Sequence, residues 1–269
     1  MNYEFKKPLW AIGYVFFFLC IQAMASTAVL GFNMLVLKKE ATELDPISMI
    51  VATGIFTLTT IAVFAWMKWS PLSKTFLRSR RWDILLWSIV ASLGAIIPSS
   101  YLQELLPEWP ASIQQQIDQM ARTMFQMMNT PGGYAVICLF APIAEEMVFR
   151  GAALRKLLQW KPEHRWLMIF LSALLFALAH MNPAQFLHPL LIGILLGWLY
   201  ERTGSIIPGI VYHWANNTVA YILSRAYQKP DITVTQIFGD NLHVLMAVAF
   251  SLLIFIPAIY QLNLQMKKS

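Results

Sequence analysis

The chain has 269 residues, 58% of them apolar and only 13% charged. A soluble domain is about a quarter charged, so a water-soluble enzyme, a disordered tail and a disulfide-stapled secreted module are all excluded. The expected class is all-α, a polytopic membrane protein, and the net charge of +6 reads as basic residues marking the cytoplasmic side of a bilayer, not as a nucleic-acid partner.

A spanning helix needs about 20 apolar residues. Uncharged runs at 8–37, 46–67 and 84–103 predict the first three spans. Lys6, Lys7 and Ala23-Met24-Ala25 imitate a signal peptide. The apolar run nevertheless outlasts a signal core of about 7–15 residues, so the segment is expected to stay. Residues 111–129 are amphipathic instead: Ile113, Ile117, Met120, Met124 and Met127 recur at helical spacing among glutamines and charges. Pro110 suits the start of a helix and Pro131 its end, so an interfacial helix on the bilayer is expected. Further spans are predicted at 133–158, 166–181, 186–200, 206–223 and 242–262, which makes about eight. The chain thus divides into N-terminal spans (1–110), the interfacial helix (111–129), a motif-bearing core (131–223) and a last span with its tail (224–269). With eight spans, fifteen of the twenty Lys and Arg fall on the side that holds both termini, which is then the cytoplasm. Cys20 and Cys138 sit singly inside apolar runs and read as small buried hydrophobes.

Ionisable residues inside spans are costly and point to function. The densest group is Glu145-Glu146 with Arg150. Successive helical residues differ by about 100° in direction, so the two acids are not expected to face one partner. Glu146 and Arg150, four apart, can pair, which leaves Glu145 unpaired within its helix. His180 ends Phe176-Ala177-Leu178-Ala179-His180, and His213 lies four before Asn217 on one helical face. Glu145 and His180 stand at nearly equal sequence distances from Pro162. If Pro162 marks a hairpin turn, they share a depth. One carboxylate, two imidazoles and an amide at one depth form a hydrolytic constellation: the acid takes a proton from water, a histidine shares it, and the other donors hold an oxyanion. Ion-pair and hydrogen-bond clamps between helices are the bland alternative. His164 reads as solvated, His243 as interfacial, and His188 has no evident company.

Taken together, E-E-x-x-x-R, F-x-x-x-H and H-x-x-x-N resemble the CPBP family, also called the CAAX-protease and bacteriocin-processing or Abi family. The stretch Gly193-x-x-x-Gly197-x-x-Tyr200 and Thr203-Gly204-Ser205-Ile206-x-Pro208 is similar to that family too. The resemblance covers about residues 142–219 and implies a membrane-embedded endopeptidase, with peptides or membrane proteins in the bilayer as partners, prenylated CAAX-like ones among them. It implies Glu145 as base, His180 as its partner, and His213 with Asn217 at the oxyanion, while Glu146, Arg150 and Phe176 orient the site. The class is often catalogued as metalloprotease. A catalytic Zn²⁺ would take Glu145, His180 and His213 as ligands. A metal-free glutamate mechanism uses each residue once and is preferred, because the amide of Asn217 is a good hydrogen-bond donor and a poor zinc ligand. There is no H-E-x-x-H zinc motif and no G-x-S-x-G serine turn. A non-catalytic binding or immunity scaffold, and a proton-relay transporter, stay as competing readings.

Overall fold

The computed structural model describes residues 3–38, 44–107, 109–183, 186–230 and 232–267. Lys39 and Lys268, both counted in the charge comparison, lie outside the described residues, as do 184–185 of a short connecting loop. The described residues are helical throughout, with no strand among them.

Each predicted span is a helix. The helices are α1 (Tyr3–Leu35), α2 (Pro46–Trp66), a short α3 (Lys74–Ser79) not foreseen from sequence, α4 (Trp82–Glu104), the amphipathic α5 (Ala111–Asn129), α6 (135–160), α7 (Arg165–Ala179), α8 (Leu187–Thr203), α9 (Ile207–Tyr227), a second unforeseen short helix α10 (Val234–Phe238) and α11 (Asn241–Lys267). Local chemistry sets the ends. Asp45 Oδ1 accepts the N–H groups of Ile47 and Ser48 at 3.1 Å each, with Pro46 at the first turn of α2. Gly204, at φ +61°, closes α8 by giving its N–H to the carbonyl of Tyr200 at 2.8 Å, the left-handed stop that glycine adopts without cost.

Five helices are long and apolar enough to cross a membrane: Lys6–Leu35, Pro46–Trp66, Trp82–Glu104, Pro162–Ala179 and Asn241–Lys267. Their outer faces bear Phe16, Met24, Phe250 and Leu253, all more than 60% exposed; so much uncovered apolar surface suits lipid. The three helices α6, α8 and α9 fall short of that test. Two of them carry the polar motifs, and all three are wrapped by their neighbours: α1, α2 and α7 pack on α6, α4 packs on α9, and α7 packs on α8.

The α7/α8 contact depends on small residues. A Cβ added at Gly193 would stand 2.9 Å from the Cβ of Ala173, and one at Gly197 2.8 Å from Cγ2 of Ile169. Glycines four apart thus let two backbones approach in the way membrane helices favour.

The candidate active site

Helix α6 is continuous but not uniform. It opens with a π-helical stretch, Ala135–Phe140, continues as α through Ala141–Glu146, returns to π over Met147–Leu154, and closes as α at Arg155–Trp160. Pro142 explains the first stretch. It has no N–H, and its ring crowds the carbonyl four residues back, so the ladder widens and Ala141 donates to Val136, five residues back. In that pattern the donor owed to the carbonyl of Ile137 would come from Pro142, which has none. Asn217 of α9 supplies it: its Nδ2 donates to the carbonyl of Ile137 at 3.1 Å. Such π segments are frequent at functional sites, and here the two of them flank Glu145 and Glu146.

Arg150 is 1% exposed and Glu146 not at all. Arg150 Nη1 donates to Glu146 Oε1 at 3.0 Å, the i, i+4 pair expected from sequence. Its Nη2 reaches the carbonyl of Gly193 at 3.4 Å, and its guanidinium carbon lies 4.4 Å above the ring of Phe176, a cation–π contact. Room for the buried carboxylate comes from Gly209 of α9, whose Cα faces Glu146 Oε2.

The expectation that the two acids face different partners is overturned. His213 Nδ1 lies 3.3 Å from Glu146 Oε1, and its Nε2 lies 3.7 Å from Glu145 Oε2. An imidazole presents its nitrogens on two sides of the ring, so one histidine from a neighbouring helix can serve two adjacent helical residues that do not share a direction. Within the cluster Glu145 differs from Glu146: its side chain is 19% exposed, that of Glu146 0%.

Phe176 is the hub, touching Arg150, His180, His213 and Phe149. Its ring meets His180 edge-on at 4.7 Å between centroids and His213 at 5.8 Å. His180 Nδ1 lies 2.8 Å from the carbonyl of Phe176. A carbonyl only accepts, so Nδ1 carries a proton, and in the neutral ring Nε2 holds the lone pair. Ser172 Oγ donates to the carbonyl of Phe149 at 2.9 Å, which ties α7 to α6. Asn217 is one turn from His213 and is spent in part on Ile137.

Sequence reading missed Gly209 and His188. His188 Nδ1 lies 3.0 Å from Ser99 Oγ of α4. The other readings stand as follows: His164 and His243 are exposed, His243 beside Asp240 at 2.7 Å, and both cysteines are free, Cys138 buried.

Residues 128–219 match the family model described as type II CAAX prenyl endopeptidase, Rce1-like. That stretch is a CPBP-family segment. It holds every residue of the three motifs, and the CPBP family is one of membrane endopeptidases, in keeping with the apolar helices around it. No curated protein and no solved structure matches the chain.

The zinc set suggested for the class does not fit this geometry. Among the described residues no three His, Cys, Asp or Glu side chains converge as a metal site. Glu145 and His213 approach each other, but no contact joins His180 to either, and a catalytic zinc needs three protein ligands.

Proposed function

We propose that the chain is an intramembrane endopeptidase that hydrolyses a peptide bond with water activated by Glu145 and His180, on prenylated CAAX-like peptides or small membrane and secreted peptides. The observation that carries this reading is the contrast between the two acids: Glu146 is sealed and engaged by Arg150 and His213, whereas Glu145 keeps an accessible carboxylate beside His213. Glu145 takes a proton from water as it attacks the carbonyl carbon, and returns it to the leaving amine. His180 offers its Nε2 lone pair to the same proton traffic. His213 and the second N–H of Asn217 stabilise the oxyanion. Phe176 and Arg150 hold the ring and carboxylate that must not move.

The topology that goes with this reading has eight spans, because α6, α8 and α9 cross inside the jacket of five apolar helices. Polar residues are tolerated at membrane depth where they face protein and not lipid. Both termini are then cytoplasmic, and α5, with only Ile117 and Met127 buried, lies in the opposite interface.

Glu145→Gln tests the function. It keeps the shape and removes the base, so release of a CAAX-type peptide in proteoliposomes should fall by at least about 100-fold with folded yield unchanged. A non-catalytic scaffold would bind the peptide equally with either residue and cleave it with neither.

A further inference from the structure

Two polar residues of α4, Ser99 and Gln103, stand one turn apart and both grip one residue of α8. Gln103 Oε1 accepts the backbone N–H of His188 at 3.3 Å, satisfying a donor that the first turn of a helix leaves free. Ser99 Oγ takes the ring, with Nδ1 at 3.0 Å. The hydroxyl has one hydrogen, and the carbonyl of Ala95, 2.6 Å away on the same helix, is its nearest acceptor, with that of Ile96 at 3.1 Å. With its hydrogen given to the carbonyl of Ala95 the hydroxyl accepts from His188, and the neutral ring then donates from Nδ1 and keeps its lone pair on Nε2. His188 is half-buried and lies on the same helix five residues before Gly193, whose carbonyl meets Arg150 Nη2 at 3.4 Å.

A peptide drawn into a bilayer loses the water that paired its backbone, and each N–H left alone costs several kcal/mol. A site that opens an extended peptide must therefore present acceptors. Glu146 Oε1 is engaged by Arg150 and His213, Glu145 and the Nε2 of His180 are given to proton transfer, and Asn217 offers N–H groups. We propose that His188 is a substrate-positioning residue, a third imidazole whose fixed Nε2 accepts a backbone N–H of the bound peptide. This rests on the endopeptidase reading above.

The test uses the full chain in proteoliposomes and a quenched-fluorescent farnesylated peptide ending in a CAAX motif. His188→Asn keeps a donor for Ser99 near the Nδ1 position and removes the Nε2 acceptor. It should raise KM about 3- to 10-fold, the worth of one neutral hydrogen bond, with kcat and melting temperature held. His188→Gln, which carries an acceptor out to the Nε2 position, should recover part of the loss. A residue that only clamps α8 to α4 gives the opposite result: KM unchanged in His188→Asn, which overturns the proposal. If His188→Asn fails to fold, Ser99→Ala is read in its place. It frees the tautomer and should raise KM about 2- to 3-fold; an unchanged KM there also overturns the proposal. Equal fluorescence from wild type and Glu145→Gln defeats the endopeptidase reading instead. Probe binding to the Glu145→Gln protein, compared with the Glu145→Gln/His188→Asn double variant, still decides the role of His188: weaker binding in the double variant supports it, and equal binding overturns it.

Discussion

Gly209→Ala adds one methyl group to a place with no room for it. The new Cβ would stand 2.8 Å from Glu146 Oε2, 3.5 Å from its Cδ and 3.6 Å from Cδ2 of Leu196. The tip of a glutamate usually swings away at little cost, but this one is anchored. Its other oxygen is held by Arg150 at 3.0 Å and His213 at 3.3 Å, and the side chain is fully sealed. Reaching ordinary van der Waals distance takes a shift of about 0.5 Å, which must stretch one of those bonds or tilt α9 and carry His213 with it. Overpacking of this kind costs about 1–3 kcal/mol, so the melting temperature in detergent should fall by about 3–10 °C. Turnover should fall about 10- to 100-fold, because small misplacements of positioned groups are expensive. Gly13→Ala is the control: nothing lies within 4 Å of a Cβ there, so it should be neutral or stabilise α1 by up to about 1 kcal/mol. A Gly209→Ala protein with wild-type rate and melting temperature would refute the claim that Glu146 is pinned.

Glu146→Ala strands a fully buried guanidinium, and removing one partner of such a pair costs about 3–5 kcal/mol; folded yield by size-exclusion chromatography should drop together with rate. A well-folded Glu146→Ala protein with no activity would instead exchange the roles of the two acids. Tags in the 68–83 loop should be shielded from impermeant reagents on intact cells and tags in 224–241 labelled; the reverse pattern inverts the topology. Activity should survive a permeant chelator, with no stoichiometric zinc in the purified protein by elemental analysis. Zinc at one per chain, with activity lost on chelation and restored by Zn²⁺, would instead require His180 to move toward Glu145 and His213.

Much of the helix content was legible because uncharged runs of about 20 residues have few structural alternatives. The Glu146–Arg150 pair was legible too, since i, i+4 spacing fixes it within one helix. What the spacing could not convey was the partner across a helix interface. Glu145 and Glu146 point apart on their own helix, yet His213 joins them, because the geometry that matters is that of α9 against α6. His188 was invisible for the same reason. Its company comes from Ser99 and Gln103, both far from it in sequence and unremarkable in an apolar run. The Pro162 hairpin is there in outline, with α6 and α7 joined by Ser172 against the carbonyl of Phe149, a contact no spacing announces.

The spacing of the last motif acquires a physical meaning from α6. Pro142 sits three residues before Glu145, and its missing N–H deprives the carbonyl of Ile137 of a helical donor. Residue 217 answers with an amide, while residue 213, one turn away on the same face, answers the two carboxylates with an imidazole. One face of α9 thus repairs the defect in the α6 backbone and balances the charge on its side chains. A carboxylate at 217 in its ionised form could not donate to that carbonyl and would leave two acceptors facing one another, so an amide is the side chain this particular helix calls for. The proline that widens α6, the π turns on either side of the acids and the four-residue spacing of His213 and Asn217 are therefore parts of one arrangement, which holds Glu145 beside His213 with its carboxylate still accessible.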